Sequence, residues 1–185
     1  LILERAQRNA RHVAEYASRV FETPSAFQVG GYWRAEERMR VGEDGQYSNG
    51  EGDVSSAFVP NFVDVTDELL DSLEMSAYLD FVLGSTYESD PNTAAIYMGH
   101  EQEITYYYPN IGLGQVLPPD FHVTERPWYL SAGPDNNPER RVVWTPTYVD
   151  ATGRGLLVTA AAPVYVNQDE FIGAVGVDVT LQDIT

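Results

Sequence analysis

The last apolar run of the chain, "EFIGAVGVDVTL" from Glu170 to Leu181, has a hydrophobic period of two. Ile172, Ala174, Gly176, Asp178 and Thr180 share one parity, and Phe171, Val175, Val177, Val179 and Leu181 the other. Successive side chains of a β-strand point to opposite faces, so this run is a strand with one apolar core face. The other face is small, roomy and broken by a single carboxylate. A buried carboxylate without a partner is costly, so Asp178 needs one.

Period two extends back to Ala94. "AAIYMG" and "ITYYYPN", joined by the polar link "HEQE", read as a hairpin. "RVVWTPTYVD" and "GLLVTAAAPVYV", separated by "ATGR", lead through "NQD" into the final strand. The expectation is five antiparallel strands, the last three a meander. Everything before them is helical or irregular, and that order is α+β.

In "LILERAQRNARHVAEYASRVF", Leu3, Ala6, Ala10, Val13, Ala17 and Val20 alternate spacings of three and four. Such a seam packs on a partner helix or on the chain's own core, and both remain open at this point. Pro24 stops the helix, because the residue before a proline is disfavoured in helical conformation. The stretch begins already in helical pattern and without a cap, like a piece of something longer. From Phe27 to Phe62 turn formers dominate, as in "GEDGQYSNGEGD", which reads as a long surface excursion with a short hairpin. Its acids lack the spacing of a calcium loop, so a solvated loop is the expectation. "VTDELLDSLEMSAYLDFVLGS" is helical again, with Thr66 as N-cap and Gly84 as stop.

A chain of 185 residues, 43% hydrophobic, suffices for one well-packed domain. Its 28 acidic residues oppose 11 basic ones, all arginine, for a net charge of -17. That charge repels nucleic acid and anionic membrane surfaces. The lack of lysine fits a GC-rich or salt-adapted source. The absence of cysteine excludes disulfides, thiolate metal sites and cysteine nucleophiles. No run approaches the ~20 apolar residues of a membrane helix, and no signal peptide is visible.

The densest cluster of chemistry is "RPWY", Arg126 to Tyr129. A permanent charge in a planar fork beside two polar-tipped aromatics suits a structural corner or a small anionic ligand. Trp128 and Tyr129 alone would read as core. Pro127 suits the first position of a short helix, which would aim Arg126. Tyr148 and Asp150 share parity at the end of "TPTYVD", although Asp150 also fits an ordinary turn. Asp178 could simply pair with Arg126. His12, His100 and His122 are scattered, with no nucleophile, zinc-ligand spacing or phosphate loop beside them. Asp150 and Asp178 could serve a glycosidase, but nothing marks a sugar cleft. No catalysis, metal or cofactor is expected.

"RPWY", then "YVDATG", then "APVYVNQDEFIGAVGVDVTL" together resemble the Cache family, extracytoplasmic sensor domains of prokaryotic transmembrane receptors. The likeness covers most of the chain and is nearest to the membrane-distal module of double Cache sensors. It implies a PAS-like five-stranded antiparallel sheet, a long N-terminal helix (residues 1–23) for signalling or dimerisation, and a sensing module over residues 24–185. It also implies an extracytoplasmic input domain of a histidine kinase or chemoreceptor that is not itself an enzyme. Its partners would be a small-molecule ligand and a second copy paired through that helix, with membrane attachment through segments outside this chain. By resemblance to the amino-acid-binding subset, Arg126 and Trp128 would hold a carboxylate, while Tyr129, Tyr148, Asp150 and Asp178 would surround an ammonium. Phe121 stands where that subset has a tyrosine, so a small organic acid or an amine stays open as ligand. The chain stops at "LQDIT", where double Cache sensors continue into a membrane-proximal module. The alternative expectation is a ligand-free domain for dimerisation or partner docking.

Overall fold

A computed structural model describes residues 1–184; Thr185, the end of the expected sensing module, lies outside the described residues. The elements in chain order are α1 (Ile2–Glu22), α2 (Ala35–Arg38), β1 (Met39–Val41), β2 (Tyr47–Asn49), β3 (Ser56–Val59), α3 (Asp67–Ser76), α4 (Asp80–Glu88), β4 (Thr93–His100) and β5 (Thr105–Tyr108). There follow α5 (Leu113–Val116), α6 (Pro127–Ala132), β6 (Val143–Trp144), β7 (Tyr148–Val149), β8 (Leu156–Val166), β9 (Glu170–Thr180) and α7 (Leu181–Ile184). The strands form one antiparallel sheet in the order β1-β2-β3-β5-β4-β9-β8-β6, with β7 also on β8. The fold is α+β, as the order of hydrophobic periods requires.

The sheet is covered on both faces. On one, Ile96, Met98, Val175, Val177 and Val179 pack against Ala6, Ala10, Val13 and Ala17 of α1. Alanines at half of the seam positions let the helix lie close to the strands. Four seam positions are therefore filled by the chain's own sheet, Val20 packs with Met75 and Tyr78, and of the six only Leu3 is exposed. On the other face, Ala95, Tyr97, Ala161 and Ala174 meet Leu113, Leu117, Val123 and Trp128 from the segment between β5 and β6.

Five strands were expected; among the described residues the sheet has nine. The excursion contributes β1, β2 and β3, and β3 pairs with β5 through Ser56–Tyr107, Ala57–Tyr106 and Phe58–Thr105. Three to four residues carry too little period to announce a strand, and pairing with an existing edge supplies what propensity lacks. The excursion is also tied down from the helical side. The Asp80 carboxylate accepts hydrogen bonds from Tyr32, Ser55 and Tyr106 at 2.8, 2.7 and 2.8 Å. "RVVWTPTYVD" forms two short strands, since Pro146 between them has no N–H to give the ladder.

Of three finer expectations, one holds and two change. Thr66 caps α3 as anticipated, accepting from the Leu69 N–H at 3.1 Å. Gly84, however, lies inside α4, where its bare Cα admits the Tyr108 ring; an added Cβ would sit 3.4 Å from it. Parity in β9 also slips near its start. Val164 faces Gly173 and Tyr165 faces Phe171, so Ile172 is an extra residue in the ladder. Ile172 consequently joins the α1 side, and Phe171 packs with Tyr129 on the opposite face.

Candidate functional site

The small, polar face of β9 lies under a cleft of about 380 Å³, counting its open mouth. Strands β4, β5 and β9 make its floor, and Leu113, Leu117, Phe121 and Val123 make an apolar wall. The turn after β7 closes it with Asp150, Ala151 and Thr152.

Arg126 occupies one side. It is the extended residue immediately before α6, with Pro127 in the first helical turn, as the sequence implies. Its guanidinium lies 5.9 Å from the Phe121 ring centre and 5.5 Å from that of Tyr148. One amino group donates to the Val149 carbonyl at 3.0 Å. Arg126 has no ion pair among the described residues. Trp128 comes next on α6 and presses on the sheet at Gly99, where a Cβ would fall 2.6 Å from the indole. Glycine at that position is what lets the ring down onto the floor. The indole meets the Tyr97 ring edge to face at 4.7 Å.

Asp178 lines the cleft from β9 and is 3% exposed. Its partners are hydroxyls and not Arg126. Tyr97 donates to its Oδ1, and Thr159 donates to the same oxygen at 2.7 Å. The Tyr148 hydroxyl lies 2.5 Å from Thr159, which extends the network toward the mouth. Burial pushes the Asp178 carboxyl up to about 7; the Tyr97 and Thr159 hydrogen bonds and the Arg154 charge oppose this, and Asp150 adds to it. Asp150 is both a turn residue and a cleft residue. Its carboxylate accepts from the Thr152 N–H and hydroxyl at 2.9 and 2.8 Å while lining the cavity.

Arg126, Trp128, Tyr148, Asp150 and Asp178 thus converge on one cavity. Tyr129 is the exception. It is not among the lining residues; its ring packs against Trp128 and Phe171, and its hydroxyl is buried without a partner. The helical turn that aims Trp128 inward carries the next residue onto the sheet beside it. Sequence reasoning missed Tyr97, Thr159 and Arg154, which surround the acid end. The period of "AAIYMG" marks Tyr97 as a strand residue but not as facing Gly176, where an added Cβ would come within 2.5 Å of its ring. Arg154, from the turn "ATGR", donates to the Ala94 carbonyl beside the residue that pairs with Asp178.

Among the described residues no cluster of His, Asp or Glu could hold a metal ion, and no helix is long and apolar enough to cross a membrane. The residues that line the cavity include one cation and two carboxylates, with hydroxyls and aromatic rings between, and Arg154 stands behind Asp178.

No curated protein matches the chain. Among solved structures it is similar to the ligand-binding domain of Mlp24 solved with asparagine, at 31% identity over 54% of this chain and 40% of that one, TM-score 0.39. It is similar to the ligand-binding domain of the Pseudomonas fluorescens chemoreceptor CtaA solved with L-valine, at 22% identity over 60% and 45%, TM-score 0.47. A third is that of the Pseudomonas aeruginosa PAO1 amino acid chemoreceptor PctB with L-Arg, at 26% over 55% and 37%, TM-score 0.42. The matches span less than half the length of each of these solved chains. The family of first PDC sensor domains of methyl-accepting chemotaxis protein-like receptors matches residues 63–185, about two thirds of the chain. The chain belongs to that family, one of sensor domains and not of enzymes.

Proposed function

We propose that this is the extracytoplasmic, membrane-distal input module of a transmembrane receptor of chemoreceptor or histidine kinase type, and that its cleft binds an α-amino acid. The observation that carries this reading is the placement of an ion-pair-free Arg126 and of Asp150 and Asp178 around one small cavity. Arg126 and the Trp128 indole take the carboxylate, and Tyr148, Asp150 and Asp178 take the ammonium. A zwitterion needs opposite charges held apart at fixed spacing, and each charge-assisted hydrogen bond contributes about 1.5–3 kcal/mol. Phe121 supplies no hydroxyl, so the carboxylate is held mainly by the arginine fork.

Signal leaves through the back of the sheet. Strand β9 carries Asp178 on the cleft face and Val175, Val177 and Val179 on the face that packs α1. Ligand that draws the Arg126 segment toward β9 favours one seating of α1, and shifts the population only by its differential affinity for the two arrangements. Pairing of two copies through the exposed side of α1 would carry that shift to the receptor.

A thermal-shift and calorimetric screen against amino acids, small carboxylates and amines tests the reading, repeated with Arg126→Ala and Asp178→Ala. A ligand at 100 times its dissociation constant adds ~2.7 kcal/mol of stability. Amino acid responses lost in both variants are expected. A carboxylate-only response lost with Arg126 alone overturns the zwitterion in favour of an organic acid, and no response from folded protein overturns ligand sensing in favour of docking.

A further inference from the structure

The cleft floor holds two polar groups that carboxylate and ammonium recognition leave unused. Thr105 and Tyr107 are two apart on β5, line the cleft and are each 4% exposed. Neither hydroxyl has a hydrogen-bond partner of good geometry, although Thr152 is near enough to bear on Tyr107. Buried hydroxyls are normally satisfied by protein or ordered water, so an unsatisfied pair in a cavity wall calls for a cause. Among the described residues, Trp33, Gln46, Thr93 and Tyr129 also carry unpartnered buried atoms, but none of them lines this cleft.

Thr105 pairs with Gly99, over which Trp128 lies. Tyr107 pairs with Tyr97 and stacks on it at 5.3 Å and 4°, so it is toward the Asp178 side. The wall facing them is apolar, made of Leu113, Leu117 and Val123. An aliphatic ligand side chain would leave both hydroxyls with nothing to bond. A hydroxyl or carboxamide both donates and accepts, and can satisfy either one.

We infer that Thr105 and Tyr107 are specificity-determining residues that reserve the cleft for a small amino acid with an uncharged hydrogen-bonding side chain, in preference to an aliphatic one of the same shape. This rests on the amino acid reading of the site. Apolar walls alone separate such isosteres poorly, whereas buried groups left unpaired by the wrong ligand separate them strongly.

The test is calorimetry on the domain with the near-isosteric pairs L-threonine and L-valine, and L-asparagine and L-leucine, for the wild type, Thr105→Val and Tyr107→Phe. The wild type is expected to prefer the polar member by about tenfold or more. Each variant should shrink that ratio several-fold, chiefly by tightening the aliphatic ligand. A ligand-free readout accompanies it: both variants should melt at or above the wild-type temperature, since each removes an unsatisfied hydroxyl. An unchanged ratio, or variants that melt lower because the hydroxyl was structurally bonded, overturns the inference while Arg126-dependent binding stands. If no amino acid binds and Arg126→Ala changes nothing, the reading of the site and this inference fall together.

Discussion

Asp178 is where burial and binding pull in opposite directions. With its carboxyl raised by burial to about 7, the folded protein keeps the proton that the unfolded chain releases near the ordinary value of 3.8. Between those values the folded state binds more protons, so stability falls as pH rises from about 4 to about 7 and is level above. Asp178→Asn keeps an acceptor for Tyr97 and Thr159 and removes the ionisation. It should raise stability at pH 8 by on the order of 2 kcal/mol and leave it nearly unchanged at pH 4, as read from denaturant melts at the two values. An equal effect at both would show that the carboxyl does not titrate on folding. The ionised form is the one that pairs with an ammonium, so amino acid affinity should rise from pH 6 to pH 8 in calorimetry and lose that rise in Asp178→Asn. Arg126→Ala should weaken binding by about 10- to 100-fold with little change in melting, since the side chain is only half-buried and makes one internal hydrogen bond. That Asp178 needs a partner was legible from one carboxylate in an apolar strand. That the partners are Tyr97 and Thr159, 81 and 19 residues away, was not, because only strand pairing brings them together.

Elements of this protein differ in how strongly their own residues dictate them. α1, β8 and β9 are long and readable by eye; β1 to β3 are short and exist through their neighbours. Asp80 shows what holds them. Asp80→Ala would strand the Ser55 and Tyr106 hydroxyls in the interior and should cost about 2–4 kcal/mol, measured by urea melts. Loss of the Tyr32 contact should also raise hydrogen exchange across the excursion ahead of the long strands; uniform exchange would show that the excursion is held by other means. Gly176 is the corresponding point in the floor. Gly176→Ala puts a methyl against the Tyr97 ring and should cost about 1–3 kcal/mol and displace Tyr97 from Asp178. The helical seam was readable as a seam, while its occupant was not. Alanine at half of its six positions suits a sheet and a helix equally, and the choice depends on which apolar face the rest of the chain presents.

Across the whole molecule the net charge of -17 opposes compaction. Melting temperature should therefore climb as sodium chloride is raised from 10 to 500 mM, because screening weakens repulsion among surface carboxylates. A flat or falling profile would mean that the acids are already paired. Hydrophobic period, chain order and residue chemistry depend only on neighbours along the chain, and they suffice for the α+β class, the meander and the cluster at Arg126 to Tyr129. Convergence depends on register. Pairing of β4 with β9 sets Tyr97 against Gly176, the bulge at Ile172 turns Phe171 toward Tyr129, and the single-residue step along α6 sends Trp128 into the cleft and Tyr129 beside it. A shift of one residue in any strand exchanges its two faces, so only the folded sheet decides which carboxylate and which hydroxyls share a cavity.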